Sequence, residues 1–457
     1  MKKRNILLVC DHSNIRNWSY RGSSIALGQI LGFRGEIDTL SRDLAIKRHP
    51  AGPLRSYISR GRHGRTVSRA IRKVSLFRII YRLIGGRDDY ILDEPVDTLK
   101  LFSREVKRGN PFLADVQRRF EKADCVVVNG GDTLMLGYPP PREMLFQLFA
   151  VELAVSLGKQ VYYLNGMTGD HPIKADSMAM QRTLVRTLSK CRSVTMRDPK
   201  SMKYLTDLGL PNVNWYPDAL FTWRTRYAPL LDSGLSPHTP ELLETWPDSN
   251  RIFRKQDNWP SEYICLSAAA PEAPAHATRH TLAKPGSFYE KLITGLMEQT
   301  GLKVVVADPC GDEFLKPLCD RLDLPYVPST ANLFAGTGLL AGARAFVGGR
   351  YHPAVMASLG GTPCTFLQGH EHEADRLLHV LEYDTSAVFP VDESEENIQA
   401  IIDDIASKIA AGDDLRNHLV SKVYTMAYKS QYGIRTLFHD VATSQKRSKT
   451  SNTTAIT

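Results

Sequence analysis

The chain has 457 residues, of which 42% are hydrophobic, and this length exceeds what one hydrophobic core usually organises, so two domains are expected. No run of about 18 apolar residues occurs, and the apolar stretch behind the N-terminus is too short for a secretory core, which argues against a secreted or membrane-spanning protein and predicts a cytoplasmic one. The formal net charge is +9, and the excess of basic residues lies in the segment 55–87. This segment has no recognition motif for nucleic acid, so a nucleic-acid partner is not expected.

The first half of the chain alternates short apolar runs with helical patterns. Because the apolar runs are rich in β-branched residues and lack alternation, they predict parallel strands that are buried on both faces. Strands are predicted at residues 6–9, 37–40, 126–128, 161–164 and 194–196, and helices at 143–157, 175–188 and 201–208. We therefore predict an α/β, doubly wound, Rossmann-like domain over residues 1–225, with a basic insertion near 50–110.

The insertion contains ten basic and no acidic residues between Arg55 and Arg87, interleaved with apolar ones. Two interpretations of this composition stay open. An amphipathic helix would make a peripheral contact with anionic membrane or cover a lipid-linked saccharide. A solvated face beside a ligand cleft fits the same composition.

A proline-marked stretch at 226–260 is interpreted as the connection between two domains. The alternation then restarts, which predicts a second Rossmann-like domain over residues 261–440. Its strands are predicted at 263–267, 303–307, 345–347 and 365–367, and its helices at 289–299, 312–322, 333–341, 353–359, 398–409 and 413–432. The last helix is expected to pack back on the N-terminal domain, and the polar residues 441–457 are expected to form a disordered tail. Two domains that face each other would form a cleft at the carboxyl ends of their strands.

The junction between the strand at 345–347 and the following helix carries the clearest chemistry. Pro353 suits the first position of a helix, and the unpaired amides of a helix start attract anions. Arg350 can bind phosphate or carboxylate with two hydrogen bonds, and the imidazole of His352 can donate or accept a proton near neutral pH. The junction predicts proton-assisted chemistry on a small phosphorylated anion, although two ordinary surface residues at a helix start would look the same in this segment alone.

The string GRYHPA at residues 349–354 resembles the Arg-x-His signature of the polysaccharide pyruvyltransferase family. Three further segments resemble that family in the same order, namely VVVNGGDT at 126–133, VTMRD at 194–198 and YPDA at 216–219. The resemblance implies transfer of pyruvate from phosphoenolpyruvate to two hydroxyls of a saccharide as a cyclic ketal, in cell-surface polysaccharide biosynthesis. It also implies a GT-B-like fold, in which two Rossmann-like domains face a cleft, and no cofactor besides the phosphoenolpyruvate donor.

The resemblance implies donor binding by Arg197, Arg350, Tyr351 and His352. His352 is also the first catalytic candidate, either as a general acid or as a ligand of the departing phosphate. Two arginines beside a helix start can offset the charge of phosphoenolpyruvate without a metal. Outside the family context, Arg197 would be expected to pair with Asp198 or to cap a helix.

The resemblance further implies acceptor binding by one glycine-containing loop and a neighbouring loop. The residues carried over to this role are Asn129, Gly130, Gly131, Asp132 and Asn165. Glycines let the backbone approach a ligand closely, and the carboxylate of Asp132 could orient a sugar hydroxyl or accept its proton, so Asp132 is the second catalytic candidate. Asp218 is as consistent with capping a helix as with touching a substrate.

Two segments depart from the family pattern. Members often carry Gly-Asn-x-Gly-Asp after the first strand, whereas residues 11–17 read DHSNIRN here, so no acceptor contact is assigned there. A lysine that is common after the strand near 365 is absent, and His370 and His372 occupy that segment. The two histidines lack a third candidate ligand, so no metal site is predicted.

Two other functions stay open from the sequence. A glycosyltransferase that uses a nucleotide sugar would need the same architecture and the same phosphate-binding helix start. A non-catalytic saccharide-binding protein of the same fold would explain the missing lysine and the altered first loop. The presence of Arg197, Arg350 and His352 favours an enzyme.

Overall fold

The computed structural model describes residues 4–13, 15, 17–41, 90–135, 140–169, 178–232, 260–269, 285–311, 313–368, 373–383 and 388–438. The predictions for the basic segment 55–87, for His370 and His372 and for the tail 441–457 fall outside these residues, as does most of the predicted connection 226–260. The domain boundaries at 225, 260 and 440 stay predictions.

Six parallel strands form the first sheet. They are β1 (Arg4–Val9), β2 (Gly35–Leu40), β3 (Cys125–Met135), β4 (Gln160–Gly169), β5 (Ser193–Met196) and β6 (Val213–Trp215). Their order across the sheet is β2-β1-β3-β4-β5-β6. Alternate residues of β1 enter different cores, with Ile6 and Leu8 on one face and Leu7 and Val9 on the other. Burial on both faces explains why the strand sequence is continuously apolar.

The helices of the first half of the chain pack around this sheet or follow its last strand along the chain. They are α1 (Trp18–Leu31), α2 (Pro95–Lys107), α3 (Pro111–Lys122), α4 (Arg142–Ser156), α5 (Met178–Leu188), α6 (Pro199–Asp207), α7 (Trp223–Arg226) and α8 (Ala228–Asp232), with a 3-10 turn at Ala219–Thr222 before α7. Asn17 caps α1 by accepting from the amide of Ser19 at 2.8 Å. Helices α1, α2 and α3 were not predicted. Helix α1 buries Ser23 and Ser24 together with its apolar residues and so has no clean apolar stripe.

The second sheet also has six parallel strands. They are β7 (Tyr263–Leu266), β8 (Lys303–Ala307), β9 (Tyr326–Val327), β10 (Ala345–Gly348), β11 (Cys364–Leu367) and β12 (Val388–Phe389). Their order is β12-β11-β10-β7-β8-β9. The accompanying helices are α9 (Pro285–Thr300), α10 (Lys316–Leu322), α11 (Leu333–Gly342), α12 (Tyr351–Ser358), α13 (Glu373–Leu381), α14 (Glu395–Ala410) and α15 (Gly412–Thr436).

One hydrophobic core includes residues from both sheets, such as Tyr162 of β4 and Phe346 of β10. Trp18 at the start of α1 is fully buried in this core. Its backbone amide donates to the carbonyl of Pro309 at 2.9 Å, and its indole N–H donates to the carbonyl of Ser329 at 3.0 Å. The first helix of the chain is therefore fixed against the second sheet.

The last helix, α15, returns to the first half of the chain, as predicted. It packs against the 3-10 turn, α1 and α7. Just beyond it, the ring of Phe438 lies 4.5 Å from the ring of Tyr162 between centroids. Among the described helices, α15 included, none combines the length and the apolar character needed to cross a membrane.

Two local predictions are wrong. β3 does not end before the NGGD loop but continues through it to Met135, because its pairing with β4 extends as far as Gly169. Helix α12 begins at Tyr351 and not at Pro353, since Arg350 is the extended residue that precedes the helix. Pro353 is accommodated in the first turn because amides there have no intrahelical acceptor.

The scattered cysteines of the sequence form no close pair that would suggest a metal site, and they are expected to be buried thiols. All seven are present as thiols in the described ranges, six of them buried and Cys310 half-buried. Burial raises the pKa of the Cys125 thiol to about 11, which keeps this side chain protonated and unreactive.

Candidate active site

Arg197 directly follows β5, and its side chain is completely buried. Nη1 donates to Oδ2 of Asp218 at 3.4 Å, and Nη2 donates to Sδ of Met167 at 3.6 Å. The guanidinium also lies over the ring of Tyr351, 4.5 Å from its centroid. Because Tyr351 opens α12, this cation is held by residues from both halves of the chain.

His352 completes a three-residue group, hereafter the Arg-Asp-His cluster. Its Nε2 lies 3.1 Å from Nη1 of Arg197 and 3.2 Å from Oδ2 of Asp218. Arg197 and Asp218 follow β5 and β6 of the first sheet, whereas His352 follows β10 of the second. The cluster therefore marks the place where the carboxyl ends of the two sheets meet, which is where open parallel sheets bind ligands.

Asp218 is an anion at neutral pH in spite of its position. Burial by itself would raise the pKa of its carboxyl, but the His352 imidazole, then the Arg197 guanidinium and the backbone amide of Leu220, outweigh burial and lower the pKa from 3.8 to about 2. The amide of Leu220 and the hydroxyl of Ser23 donate to Oδ1 at 2.8 and 3.1 Å. The carboxylate thus balances the charge of Arg197 inside the protein.

Nε2 of His352 faces a donor and an acceptor at nearly equal distances. A protonated Nε2 donates to Asp218, whereas an unprotonated Nε2 accepts from Arg197. Within the described residues, Nδ1 of His352, the other ring nitrogen, has no hydrogen-bond partner. The cluster can hold His352 in either state, which suits a group that exchanges a proton with a ligand.

Arg350 lies outside the cluster, in the wall of a small open recess at the carboxyl ends of β7 and β8. Asp308, Cys310 and Tyr326 also line this recess. The hydroxyl of Tyr326 donates to Asp308 at 2.8 Å, which holds the carboxylate in place. Arg350 is half-exposed, so the two arginines that the family resemblance places together lie in different surroundings.

The predicted acceptor residues lie in β3 and β4, the two central strands of the first sheet. Asn129 is buried, and its Nδ2 donates to the hydroxyl of Ser24 at 3.0 Å, while its buried Oδ1 has no hydrogen-bond partner within the described ranges. At Gly130 a Cβ would lie 2.7 Å from Cα of Gly166, so no larger residue fits between β3 and β4. The side chain of Asp132 lies outside the described residues, and its predicted roles stay predictions.

Asn165 supports the cluster from behind. It has a left-handed backbone conformation with φ of 61°. Its Nδ2 donates to Oγ of Ser23 at 2.7 Å, and its Oδ1 accepts from the amide of Ala219 at 3.0 Å. Because Ser23 in turn donates to Asp218, Asn165 fixes the carboxylate through one intermediate hydroxyl.

Arg197 and Asp218 have hydrogen-bond partners that their neighbours in the sequence do not indicate. Arg197 does not pair with Asp198, which instead caps α6 and accepts from Arg376 at 3.2 Å. Asp218 caps the 3-10 turn and also contacts His352, while its contact with a substrate stays a prediction. Sequence reasoning missed Ser23, because no motif marks a serine within a helix as a partner of a distant carboxylate.

No metal site is predicted from the sequence. Throughout the described part of the chain, no group of three or more His, Cys, Asp or Glu side chains could hold a metal ion. His370 and His372 lie outside the described residues, and the prediction for them stays a prediction.

Similarity to known proteins is seen in both sequence and structure. A sequence model of the polysaccharide pyruvyl transferase family matches residues 51–370. No curated protein matches the chain in sequence. The fold is similar to UDP-GlcNAc 2-epimerase from Neisseria meningitidis bound to UDP-GlcNAc, at 14% identity and a TM-score of 0.51 over 95% of this chain and 100% of that chain. UDP-N-acetylglucosamine 2-epimerase from Rickettsia bellii is similar at 11% identity and a TM-score of 0.46, over 95% of this chain and 98% of that chain.

At 14% identity the likeness to the Neisseria epimerase concerns the fold alone. It confirms the predicted α/β class, in which two parallel six-stranded sheets adopt a GT-B-like arrangement. The family match spans more than half of the chain and includes Arg197, Arg350 and His352. The chain belongs to the polysaccharide pyruvyl transferase family.

Proposed function

We propose that the protein transfers pyruvate from phosphoenolpyruvate to two hydroxyls of a saccharide, forming a cyclic ketal during cell-surface polysaccharide biosynthesis. As a family member the protein is a transferase that modifies polysaccharide. The observation that carries the finer proposal is the Arg-Asp-His cluster, in which a titratable imidazole is held between a buried cation and a buried anion. This arrangement suits proton transfer to a bound anion.

The donor would bind beside the start of α12. Phosphoenolpyruvate carries about three negative charges near neutral pH. Arg350, the half-exposed residue in front of the helix, would bind its phosphate or carboxylate with a bidentate contact. The first amides of α12, those of Tyr351 and His352, would add donors at the positive end of the helix. No further cofactor is required for this charge balance.

His352 would act in the first chemical step. Ketal formation requires a proton at the methylene carbon of the donor, attack of a sugar hydroxyl on the resulting cationic carbon, departure of phosphate and closure by the second hydroxyl. Nε2 of His352 lies between the anionic Asp218, to which it can donate, and Arg197, from which it can accept. The imidazole would deliver this proton or contact the departing phosphate.

The saccharide would bind on the side of the first sheet. Asn129, Gly130, Gly131 and Asp132 would contact it, and the buried Oδ1 of Asn129 is a suitable acceptor for a hydroxyl. Asn165 would contribute by holding Ser23 and, through it, Asp218.

The donor decides between this proposal and a nucleotide-sugar glycosyltransferase. Phosphoenolpyruvate should raise the melting temperature, whereas UDP-sugars should not. With a panel of cell-surface glycans, each phosphate released should accompany one new methyl signal of a ketal in the proton NMR spectrum. Protection by a UDP-sugar, with no phosphate release from phosphoenolpyruvate on any glycan, would contradict the proposal.

A lipid-linked acceptor would require the protein to contact a membrane, and the basic segment 55–87 would supply that contact from the cytoplasmic side. Its ten basic residues are interleaved with apolar ones and would bind anionic headgroups. The protein should cosediment with anionic vesicles at low salt and be released at high salt. Absence of cosedimentation at low salt, or unchanged binding after the segment is neutralised, would refute the membrane contact.

A further inference from the structure

His12 lies shortly after β1, at the carboxyl end of that strand, and the ring of Tyr20 neighbours both His12 and the Arg-Asp-His cluster. The centroid of its ring lies 5.5 Å from that of Tyr20, and the ring of Tyr20 lies 6.5 Å from that of His352. Tyr20 is thus a common neighbour of two imidazoles that belong to different sheets. The side chain of His12 is 22% exposed, so a ligand can reach it without any rearrangement of the core.

A carboxylate stands behind His12. Oε1 of Glu143, in the first turn of α4, lies 3.9 Å from Nε2 of His12. Only 16% of the Glu143 side chain is exposed, which limits the screening of its charge by water. An imidazole that must take up a proton is usually oriented and stabilised by such a third group.

The backbone of His12 is hydrogen-bonded to helix α1. Cys10, two residues before His12, adopts a left-handed conformation with φ of 61°, which is uncommon for a residue other than glycine. The backbone amide of His12 donates to Oγ of Ser24 at 3.0 Å, and the same oxygen accepts from Nδ2 of Asn129 at 3.0 Å. One hydroxyl therefore fixes both His12 and Asn129, whose buried Oδ1 has no partner in the described residues.

The chemistry of the proposed function requires two proton transfers. Two O–H bonds of the saccharide break and two C–O bonds form at the central carbon of phosphoenolpyruvate, while the C–O bond to phosphate breaks. One released proton is matched by the new C–H bond of the methyl group, and the other by the O–H bond of the departing phosphate. No oxidant or reductant is involved. A single imidazole on one side of the reacting carbon accounts for only one of these transfers.

We infer that His12, oriented by Glu143, is a second catalytic residue, which accepts the proton of the attacking saccharide hydroxyl and returns it to the departing phosphate. The inference rests on the proposed function and adds a role for the segment 11–17, where this chain departs from its family. His352 would donate its proton to the methylene carbon and regain one from the second hydroxyl, so that both imidazoles end each cycle as they began. Tyr20 lies where it separates the two.

Two substitutions of His12 and one matched control test this role. His12→Ala removes the imidazole, and His12→Gln retains a hydrogen-bonding side chain that cannot accept a proton. Each should lower kcat for pyruvate transfer about 100-fold or more, the usual contribution of a positioned base. The increase in melting temperature caused by phosphoenolpyruvate should remain, because Arg350 and the start of α12 would bind the donor, whereas His12 would contact the phosphate only as it departs. His418→Ala on the exposed face of α15 should leave kcat unchanged.

Further outcomes separate this inference from the proposed function. Added imidazole should restore part of the activity of His12→Ala but none of that of His12→Gln, whose side chain still fills the site. Glu143→Gln, which keeps the shape of the residue, should lower kcat about 10-fold. This variant tests the role of His12 even if the His12 variants do not fold. Parent-like kcat in His12→Gln or in Glu143→Gln would overturn the inference. A parent enzyme that transfers no pyruvate would instead overturn the proposed function.

Discussion

Nη1 of Arg197 lies 3.1 Å from Nε2 of His352, although the two residues are 155 positions apart in the chain. Arg197 follows a strand of the first sheet, and His352 lies in the first turn of a helix that follows a strand of the second. The contact exists only when the two sheets are packed together. The proposed chemistry therefore depends on the relative placement of the two halves, and any change that separates them should lower activity before it unfolds either half.

The arginines provide a test of donor binding. Arg350→Lys should weaken phosphoenolpyruvate binding by about 1.5–3 kcal/mol although the charge is retained, because lysine lacks the bidentate guanidinium. Arg197→Lys should weaken binding as well, and it should also lower the melting temperature because Arg197 is buried. Arg321→Lys, an exposed control on α10, should change neither quantity. Unchanged donor affinity by calorimetry in both site variants would remove the two arginines from the donor site.

The role of His352 is tested by a pair of substitutions. His352→Ala should lower pyruvate transfer about 100-fold or more, as expected for loss of a positioned acid or base. His352→Gln can still donate a hydrogen bond to Asp218 or to phosphate, so it should remain folded with a melting temperature near that of the parent. If Gln restores most of the activity, His352 is a phosphate ligand and not an acid. Parent-like rates in both variants would refute any catalytic role.

The buried ion pair should contribute strongly to stability. Asp218→Asn leaves the Arg197 guanidinium buried without its counter-charge, which should lower the free energy of unfolding by about 3–5 kcal/mol. Asp207→Asn removes the carboxylate of an exposed pair with Lys203 and should cost about 0–1 kcal/mol. Urea unfolding followed by circular dichroism measures both. Equal losses for the two variants would show that burial of the cluster has no energetic consequence.

Asp218 should also give the protein a defined sensitivity to acid. Its pKa in the folded protein is about 2, below the ordinary 3.8, so its stabilising contribution is complete above pH 3.8 and is lost as the pH falls towards 2. The loss over this window should be about 2 kcal/mol. The free energy of unfolding should consequently fall more steeply in the parent than in Asp218→Asn between pH 4 and pH 2. Parallel pH profiles for the two proteins would contradict this assignment.

The contact that joins α1 to the second half of the chain can be tested by adding one methyl group. At Gly336 of α11 a Cβ would lie 2.3 Å from the ring of the buried Trp18. Gly336→Ala should therefore cost about 1–3 kcal/mol of stability through overpacking. Gly28→Ala is the matched control, because no atom lies within 4 Å of the added methyl there, and replacing a helical glycine should stabilise the protein by about 0.5–1 kcal/mol. A stabilising effect at both positions would mean that α1 can shift away from α11.

Most long elements could be predicted from the sequence, since buried parallel strands and the helices between them have strong local patterns. The short strands β6, β9 and β12 were not predicted, because two or three residues carry too little periodicity to be distinguished from a loop. The extension of β3 through Gly130 and Gly131 depends on pairing with β4, and a glycine pair on its own indicates a turn.

The sequence by itself determined which chemical groups are present: a guanidinium after one strand, and an arginine and an imidazole around a helix start after another. These follow from local strings, because a strand followed by a helix start is recognisable within about 15 residues. Only the tertiary structure decided the partners. It pairs Arg197 with Asp218 and not with the adjacent Asp198. It places Arg350 in a separate recess, and it places Tyr20 beside both His12 and His352. Such contacts arise from the packing of two sheets, and local sequence patterns carry no information about which distant side chains that packing brings within hydrogen-bonding distance.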